Sequence, residues 1–427
     1  MSAAAYAVTP LAQPPDADVT VPGSKSISNR VALLAALADG PSTLDGILFS
    51  DDTRHMAAAL RGLGVQVEAD EAAARLTIDG CGGRWPNAAA ELFVGNAGTA
   101  MRFLVAALCL GHGTYRIDGS PRMRERPIQE LVDALAPLGG SASCERGRGT
   151  PPVVVRARGL TGGRTTLSAA RSSQFLSALL QVAPYAQHDV DIELRGEVIA
   201  QPYIDMTIAV MAQWGVAVER DGYRAFHIRA GQRYGARRYA VEPDASSAHY
   251  FWAAAALCGG RVRVAGLSRA SLQGDVQFAA LLERMGAAVT WSDDAIEVRG
   301  RGRLDGLTVD MNDCSDTAPT LAAIAPFASA PVRIDNVAHL RLQESDRLAA
   351  VASELTRLGA RVEERADGLT VWPSALHGGA VETYDDHRIA MAFALIGLKV
   401  PGVVIQAPGC VAKTFPDYFA RLEDLRR

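Results

Sequence analysis

The amino-acid sequence predicts a mixed α/β (α+β) fold of two similar domains, and three observations support this. The chain has 427 residues, about two to three times the length of a common single domain. A small polar cluster followed by an Ala/Leu-rich helix occurs six times, about 71 residues apart. These helices are apolar nearly all round, which indicates burial on every side. The six segments are SKSISNRVALLAALADG, GNAGTAMRFLVAALCLGHG, RSSQFLSALLQVAP, DASSAHYFWAAAALCGG, CSDTAPTLAAIAPFASA and YDDHRIAMAFALIGL.

The elements that follow each buried helix also recur in a fixed order. A short strand and a charged loop lead into an amphipathic helix, which ends at a glycine suited to the left-handed C′ position. Alternating segments such as VQVEA, VAVER and RVEER then predict strands. The repeated unit is therefore helix–strand–helix–strand–strand. The closing glycines are Gly64, Gly139, Gly215, Gly286 and Gly359.

The sixth copy of the unit stops at its second helix, TFPDYFARLEDLRR, and lacks the last two strands. We expect the N-terminal segments AYAVTP and ADVTVPG to supply them, which makes the first domain discontinuous. The predicted domains are residues 1–22 plus 242–427 and residues 23–241. If the domains face each other across a cleft, the six helix N-termini point into it and favour anions there.

Composition excludes several classes of protein. The net charge of −4 gives no general attraction to nucleic acid or to a membrane surface, and no apolar run is long enough to span a bilayer. The first residues do not resemble a secretion signal, so a cytoplasmic protein is expected. The six cysteines contain no C-x-x-C, the eight histidines no H-E-x-x-H, and the chain no G-x-x-x-x-G-K-[ST] or strand-linked G-x-G-x-x-G. We therefore expect no metal and no cofactor.

Cationic residues accompany the polar clusters and predict a cleft for substrates with several anionic groups. Only three of the 43 basic residues are lysines, so a lysine in this chain indicates chemistry that a guanidinium cannot perform. A structural alternative remains for each cluster, because Ser, Thr, Asp and Asn cap helices anywhere. By that alternative Asp316 is a helix cap, and Glu344 with Arg347 is an i,i+3 surface ion pair. The six cations are Lys25, Arg30, Arg126, Arg347, Arg388 and Lys413.

Seven segments, in this order along the chain, resemble the signature segments of the 5-enolpyruvylshikimate-3-phosphate synthase family. They are PGSKSISNR, LFVGNAGTAMR, PRMRERPI, SSQF, QESDRL, YDDHR and AKTFPDYF. The resemblance implies six βαβαββ units in two domains that close on the substrates. It also implies transfer of the enolpyruvyl group of phosphoenolpyruvate to the 5-hydroxyl of shikimate 3-phosphate, with release of phosphate. A monomer without a cofactor is expected, and glyphosate is expected to compete with phosphoenolpyruvate.

The resemblance also assigns roles to residues. Asp316, Glu344 and Lys25 are expected to be catalytic, with Asp316 accepting the hydroxyl proton and the other two serving the methylene carbon. The expected phosphoenolpyruvate ligands are Lys25, Gly98, Arg126, Gln174, Arg347, Arg388 and Lys413. The expected shikimate 3-phosphate ligands are Ser26, Arg30, Ser172, Ser173, Gln174, Tyr203, Asp316, His339 and Gln343.

Four positions depart from the family's usual pattern. Ala200 replaces a serine, Gln343 a lysine, His339 an asparagine of some members, and Phe103 a common proline. These departures leave open a paralogue that acts on another cyclitol. The sister family that acts on UDP-N-acetylglucosamine has a reactive cysteine in a mobile loop, and the matching segment here, GSPRMRERPIQEL, has none. A non-catalytic anion-binding repeat protein is the alternative from another class.

Overall fold

The computed structural model describes residues 5–168 and 170–426. They fall into two compact units: one extends to Pro22 and resumes at Glu242, and the other is Gly23–Val241. The chain therefore passes from one unit to the other twice. Within the described residues, no helix has both the length and the apolar character that a membrane crossing requires.

The helices and strands alternate along both units. The α-helices of the described residues are α1 (Lys25–Leu37), α2 (Asp51–Gly62), α3 (Gly98–Leu108), α4 (Gln129–Leu135), α5 (Ser173–Val182), α6 (Gln201–Gln213), α7 (Ala245–Cys258), α8 (Gln277–Arg284), α9 (Ala318–Ile324), α10 (Arg347–Arg357), α11 (His387–Gly397) and α12 (Tyr418–Asp424). The strands are β1 (Ala5–Ala7), β2 (Asp16–Val19), β3 (Pro41–Asp45), β4 (Gln66–Asp70), β5 (Arg75–Asp79), β6 (Ala89–Phe93), β7 (His112–Asp118), β8 (Ala142–Cys144), β9 (Val153–Arg158), β10 (Gly163–Ser168), β11 (Val190–Arg195), β12 (Glu219–Asp221), β13 (Ala225–Ile228), β14 (Arg238–Ala240), β15 (Arg261–Ala265), β16 (Ala288–Trp291), β17 (Ala295–Arg299), β18 (Leu307–Asp310), β19 (Val332–Asp335), β20 (Val362–Arg365), β21 (Gly368–Val371), β22 (Gly379–Val381) and β23 (Val403–Gln406).

One repeat shows the unit in full. In the second repeat, β6 is parallel to β7 across the buried helix α3, and β7 is antiparallel to β9. The edge strand β8 follows α4 and pairs antiparallel with β9. This is a βαβαββ unit, and the sheets β10-β11-β13-β12 and β18-β19-β21-β20 have the same order. The predicted mixed α/β fold with repeated units is confirmed.

The first strands of two repeats are exchanged along the chain. Strand β14 follows the third repeat in sequence but is parallel to β3, the strand after α1. Strand β2 precedes α1 but is parallel to β15, the strand after α7. Each of these first strands therefore reaches its sheet only because the chain crosses between the units near Pro22 and Glu242.

This exchange corrects one expectation from the sequence. As expected, β1 joins the sixth repeat, where Ala5 lies opposite Gln406 of β23. The second N-terminal segment does not: β2 belongs to the sheet of the fourth repeat, with Asp16 opposite Arg261. The physical reason is that the fourth repeat needs a strand parallel to β15, since the preceding strand β14 already completes the first repeat. The Arg261 guanidinium also donates to Asp16 and Asp18, at 2.9 and 2.8 Å.

The buried helices form the inner layer of each unit, as the sequence predicts. All residues of α3 and α11 are buried, whereas α2, α8 and α10 bury only one side. The five closing glycines adopt positive φ, as predicted, between +87° at Gly139 and +96° at Gly359. The N-termini of the buried helices carry the polar clusters described next.

Candidate active site

The first group of predicted site residues lies in the discontinuous unit, which comprises the residues up to Pro22 and those from Glu242 onward. Asp316 lies in a 3₁₀ turn, Asn312–Thr317, immediately before α9. Arg347 is the first residue of α10, Arg388 is in the first turn of α11, and Lys413 ends a 3₁₀ turn, Pro408–Lys413. The fold therefore brings together residues from the fifth and sixth repeats, next to the starts of α9, α10 and α11.

The Arg347 guanidinium is the centre of this group. It is 1% exposed and donates to Asp386 at 2.8 and 3.3 Å, one nitrogen to each carboxylate oxygen. Its other hydrogen bonds go to Asp316 at 3.1 Å and to Glu344 at 2.7 Å. One buried cation thus fixes three carboxylates.

Two further cations complete the group. Arg388 pairs with the Asp316 oxygen that Arg347 does not contact. The Lys413 ammonium lies 3.5 Å from the second oxygen of Glu344. Asp316 and Glu344 are therefore each held between two cations.

Charge governs protonation in this group. Burial by itself would lower the pKa of the Arg347 guanidinium, but the charges of Asp386, Glu344 and Asp316 outweigh burial and raise it above its ordinary value. Three carboxylates face three cations here.

The geometry decides against the structural alternatives for these residues. Thr317, not Asp316, stands at the N-cap of α9, and Asp316 accepts hydrogen bonds from two arginines instead. Glu344 and Arg347 do form an i,i+3 ion pair, but their side chains are only 7% and 2% exposed. A buried pair of this kind is not the surface helix pair that the spacing alone suggests.

His339 lies in the same unit and is 6% exposed. Its Nε2 is 2.9 Å from the Ser315 hydroxyl, next to Asp316 in sequence. Burial lowers the pKa of His339 to about 4, despite the opposing charge of Asp316. The imidazole is therefore neutral at pH 7. Gln343, the residue before Glu344, is half-buried.

The second group lies in the Gly23–Val241 unit and begins at α1. Ser24 caps this helix by accepting from the amide of Ile27 at 3.4 Å, and the Lys25 ammonium lies 3.5 Å from Asp52. Ser26 is half-buried in the first turn. These side chains lie at the start of a helix, where anions are favoured.

Arg30, one turn further along α1, is 2% exposed and forms hydrogen bonds inside its own unit. Its guanidinium donates to the Thr207 hydroxyl at 2.8 Å, and to the carbonyl oxygens of Ser26 and Tyr203 at 2.8 and 3.1 Å. It also lies over the Phe103 ring, at 5.2 Å. Burial lowers the pKa of Arg30 to about 10, so it stays charged at pH 7.

Gly98 opens α3 and packs against two guanidinium groups. A Cβ at this position would lie 2.7 Å from Arg126 and 2.8 Å from Arg102. Arg126 donates to the carbonyl and side-chain oxygens of Asn96, at 3.1 and 3.3 Å. Arg102 donates to the carbonyls of Gly98 and Pro127, so it ties the helix start to the loop that carries Arg126. Glycine at 98 is required for this close approach.

The remaining predicted residues of this unit lie at α5 and α6. Ser172 caps α5 by accepting from the Gln174 amide at 3.2 Å, and Ser173 is the first, buried residue of the helix. The Gln174 amide group lies 3.5 Å from the Thr99 hydroxyl, next to Gly98. Tyr203 is half-buried on α6, which begins after Ala200 in a left-handed conformation, φ 51°.

Comparison with known proteins identifies the family. The family model described as EPSP synthase (3-phosphoshikimate 1-carboxyvinyltransferase) matches residues 12–422. The chain belongs to the EPSP synthase family. It is 51% identical over 415 residues to the 3-phosphoshikimate 1-carboxyvinyltransferase of Trichormus variabilis, covering 97% of both chains. It is 48% identical over 413 residues to that of Shewanella denitrificans, covering 96% of both.

The fold of a solved family member is also similar. EPSP synthase from Acinetobacter baumannii superposes with a TM-score of 0.81 at 25% identity, covering 98% of this chain and 97% of that one. The family resemblance and the enzyme class predicted from the sequence, a transferase of this family, are confirmed. The sister family and the non-catalytic repeat protein are not supported by these matches.

Sequence reasoning missed three residues that support the predicted ones. Asp386 caps α11 and binds Arg347, Asn96 accepts from Arg126, and Asp52 pairs with Lys25. Asp386 and Asn96 lie inside segments already singled out, YDDHR and GNAG. Those segments were the available signal for both, whereas nothing local marks Asp52. Among the described residues, no group of three or more His, Cys, Asp or Glu side chains is placed to hold a metal ion.

Proposed function

We propose that this chain transfers the carboxyvinyl group of phosphoenolpyruvate to the 5-hydroxyl of shikimate 3-phosphate and releases phosphate. The observation that carries the proposal is the group around Arg347, where Asp316 and Glu344 each lie between two of three cations. Binding of anions alone would gain nothing from two carboxylates at that position. Acid–base chemistry on an anionic substrate needs both kinds of charge.

The proposed ligands are those expected from the sequence. Phosphoenolpyruvate is bound by the cations Lys25, Arg126, Arg347, Arg388 and Lys413, with Gln174 and the backbone at Gly98. Shikimate 3-phosphate is bound by Ser26, Arg30, Ser172, Ser173, Gln174, Tyr203, Asp316, His339 and Gln343. The two units act as the two domains that close on these substrates, and the enzyme works as a cytoplasmic monomer without a cofactor.

The proposed reaction has two proton transfers in each stage. In the first stage, Asp316 accepts the proton of the 5-hydroxyl while the hydroxyl oxygen attacks the central carbon of phosphoenolpyruvate. Glu344 and Lys25 deliver a proton to the methylene carbon. In the second stage, the methyl group of the tetrahedral adduct gives up one proton. The proton taken from the hydroxyl group leaves with phosphate. Buried arginines hold both carboxylates in place, so the protein contributes positioning together with acid–base work.

The direct test measures phosphate release from phosphoenolpyruvate plus shikimate 3-phosphate. A parallel reaction with UDP-N-acetylglucosamine as the acceptor tests the sister activity. Release of phosphate with shikimate 3-phosphate as the acceptor, and not with UDP-N-acetylglucosamine, supports the proposal. No release with that acceptor at any concentration refutes it and favours another cyclitol.

Ligand-driven closure of the two units is the first prediction. Ligands that carry phosphate and carboxylate groups are expected to bind cations of both units, such as Lys25 and Arg388, and so to favour a closed form. Small-angle scattering is expected to show a smaller radius of gyration when both ligands are bound. An unchanged radius would count against two domains that close.

Gly98→Ala is expected to weaken phosphoenolpyruvate binding. A Cβ at 2.7–2.9 Å from Arg126 and Arg102 forces these guanidinium groups to move. We expect KM for phosphoenolpyruvate to rise by about 10-fold, a loss equal to one displaced charged hydrogen bond. Competition by glyphosate should weaken in the same variant. Steady-state kinetics with Gly235→Ala as the control checks this, because a Cβ at exposed Gly235 meets nothing within 4 Å and the backbone there is not left-handed. Equal effects of the two variants would contradict the prediction.

The departures at Ala200 and Gln343 predict a weakened site for shikimate 3-phosphate. Ala200→Ser would add a hydroxyl donor, and Gln343→Lys would add a charge. Together they are expected to tighten shikimate 3-phosphate binding by about 30-fold or more if the two effects add, since a neutral hydrogen bond contributes about 0.5–1.5 kcal/mol and a charged one about 1.5–3 kcal/mol. Calorimetry should show no change for phosphoenolpyruvate. No gain for shikimate 3-phosphate would mean either that neighbours such as His339 already compensate or that the cleft serves another cyclitol.

A further inference from the structure

A buried carboxylate outside the proposed ligand set contacts the segment that leads into α11. Glu354 lies on α10 and its side chain is fully buried. One of its oxygens accepts from the Tyr384 hydroxyl at 2.7 Å and lies 3.3 Å from Arg357. The other accepts from the backbone amide of Glu382 at 3.0 Å. Glu354 thus joins α10 to residues 382–384 at two points.

The segment that Glu354 contacts is strained. Tyr384 and Asp385 both have φ of 54°, in the left-handed region that residues with a side chain adopt rarely. Consecutive residues in this conformation persist only where the surroundings hold them. Tyr384 is 44% exposed, so packing of its ring does not explain its position. Its hydrogen bond to a buried carboxylate does.

The strained segment delivers Asp386 to the site. The Asp386 amide donates to the carbonyl of Thr383 at 2.8 Å, which closes the turn. The Asp386 carboxylate is fully buried, accepts from Ser345 at 2.9 Å and from the Arg388 amide at 3.0 Å, and holds the Arg347 guanidinium. The position of Arg347, and hence of the carboxylates that it binds, therefore depends on the turn.

We propose that Glu354 and Tyr384 are positioning residues, which brace the 382–386 turn so that Asp386 holds Arg347 in place for phosphoenolpyruvate. Neither residue belongs to the proposed ligand set. The effect on phosphoenolpyruvate rests on the proposed function, whereas the effect on the turn does not. Two readouts therefore separate the parts of the proposal.

The first readout is amide hydrogen exchange, which needs no activity. Tyr384→Phe removes one oxygen from a half-exposed ring, so it leaves the fold intact even if Glu354→Ala does not. Exchange of residues 382–390 is expected to be faster in both variants than in the unmodified protein. Tyr223→Phe is the matched control, since the Tyr223 hydroxyl also donates to a carboxylate, that of Asp205, at 2.6 Å. Unchanged exchange in residues 382–390 of the Tyr384→Phe protein would overturn the brace.

The second readout is steady-state kinetics with each substrate varied. KM for phosphoenolpyruvate is expected to rise by about 3- to 10-fold in Tyr384→Phe and by about 10- to 30-fold in Glu354→Ala. KM for shikimate 3-phosphate should rise less, because Arg347 reaches that ligand set only through Asp316. The double variant should be no worse than Glu354→Ala alone, because the hydroxyl then has no carboxylate to bond. Equal rises in both KM values, or additive effects, would overturn the positioning role. If the unmodified enzyme is inactive while exchange still rises, the brace stands and the proposed function fails.

Discussion

Glu344→Gln and Asp316→Asn are each expected to lower kcat by about 10²- to 10⁴-fold, the range that positioned acid–base groups contribute. Each amide keeps the shape of the acid and still accepts hydrogen bonds from Arg347, but it cannot take up a proton. Because the cations stay in place, binding of both substrates should largely survive. Turnover assays with calorimetry on both ligands separate the two quantities.

The control for these variants is Glu71→Gln, an acid-to-amide change at an exposed ion pair with Arg54. Exposed pairs contribute at most about 1 kcal/mol to stability, so this variant should keep wild-type turnover. Removing one partner of a buried pair costs about 3–5 kcal/mol, so thermal unfolding of the site variants must be measured beside turnover. If Glu344→Gln and Asp316→Asn unfold but the remaining folded enzyme turns over normally, the carboxylates are structural.

Local sequence patterns were sufficient to predict much of this fold. A helix that is apolar all round has only one stable location, the interior, and the fully buried α3 and α11 confirm it. The glycine that ends each amphipathic helix could also be predicted from local sequence, because glycine is the residue type that favours a left-handed φ. The period of the repeat then predicted the sheets.

The partner of β2 could not be predicted in this way. A strand shows its period and its apolar face, but its neighbour in the sheet lies anywhere along the chain, here more than 200 residues away. Asp16 and Asp18 complement Arg261, yet the chain offers many such charge pairs. The exchange of first strands between repeats is a property of the topology, which one segment does not encode.

The candidate site could likewise be predicted only in part from local sequence. The motifs predicted Arg347, Glu344 and Asp316 as site residues, and the structure places both carboxylates within hydrogen-bond distance of Arg347. Asp386 has the sequence signature of a helix cap and is one. Its second role, holding a guanidinium 39 residues earlier in the chain, depends on the approach of α10 to α11. A tertiary contact of this kind leaves no local pattern.

The three lysines of the chain provide the second large effect and its own control. The Lys413 ammonium is 3.5 Å from Glu344, and the Lys25 ammonium is 3.5 Å from Asp52, with side chains 9% and 14% exposed. Lys399 is exposed and donates to the carbonyl of Leu257 at 3.2 Å, away from both groups. All three changes to arginine preserve the charge.

Lys25→Arg and Lys413→Arg are each expected to lower kcat/KM for phosphoenolpyruvate by about 10²-fold or more, the cost of a misplaced contact in an enclosed site. A guanidinium is larger and planar and does not release a proton at neutral pH, so it replaces neither the position nor the chemistry of an ammonium. Lys399→Arg should match the unmodified enzyme. Steady-state kinetics on the three variants is the measurement. Wild-type turnover in Lys25→Arg and Lys413→Arg would show that only the charge is needed. An equal loss of activity in Lys399→Arg would show that the arginines disturb the fold.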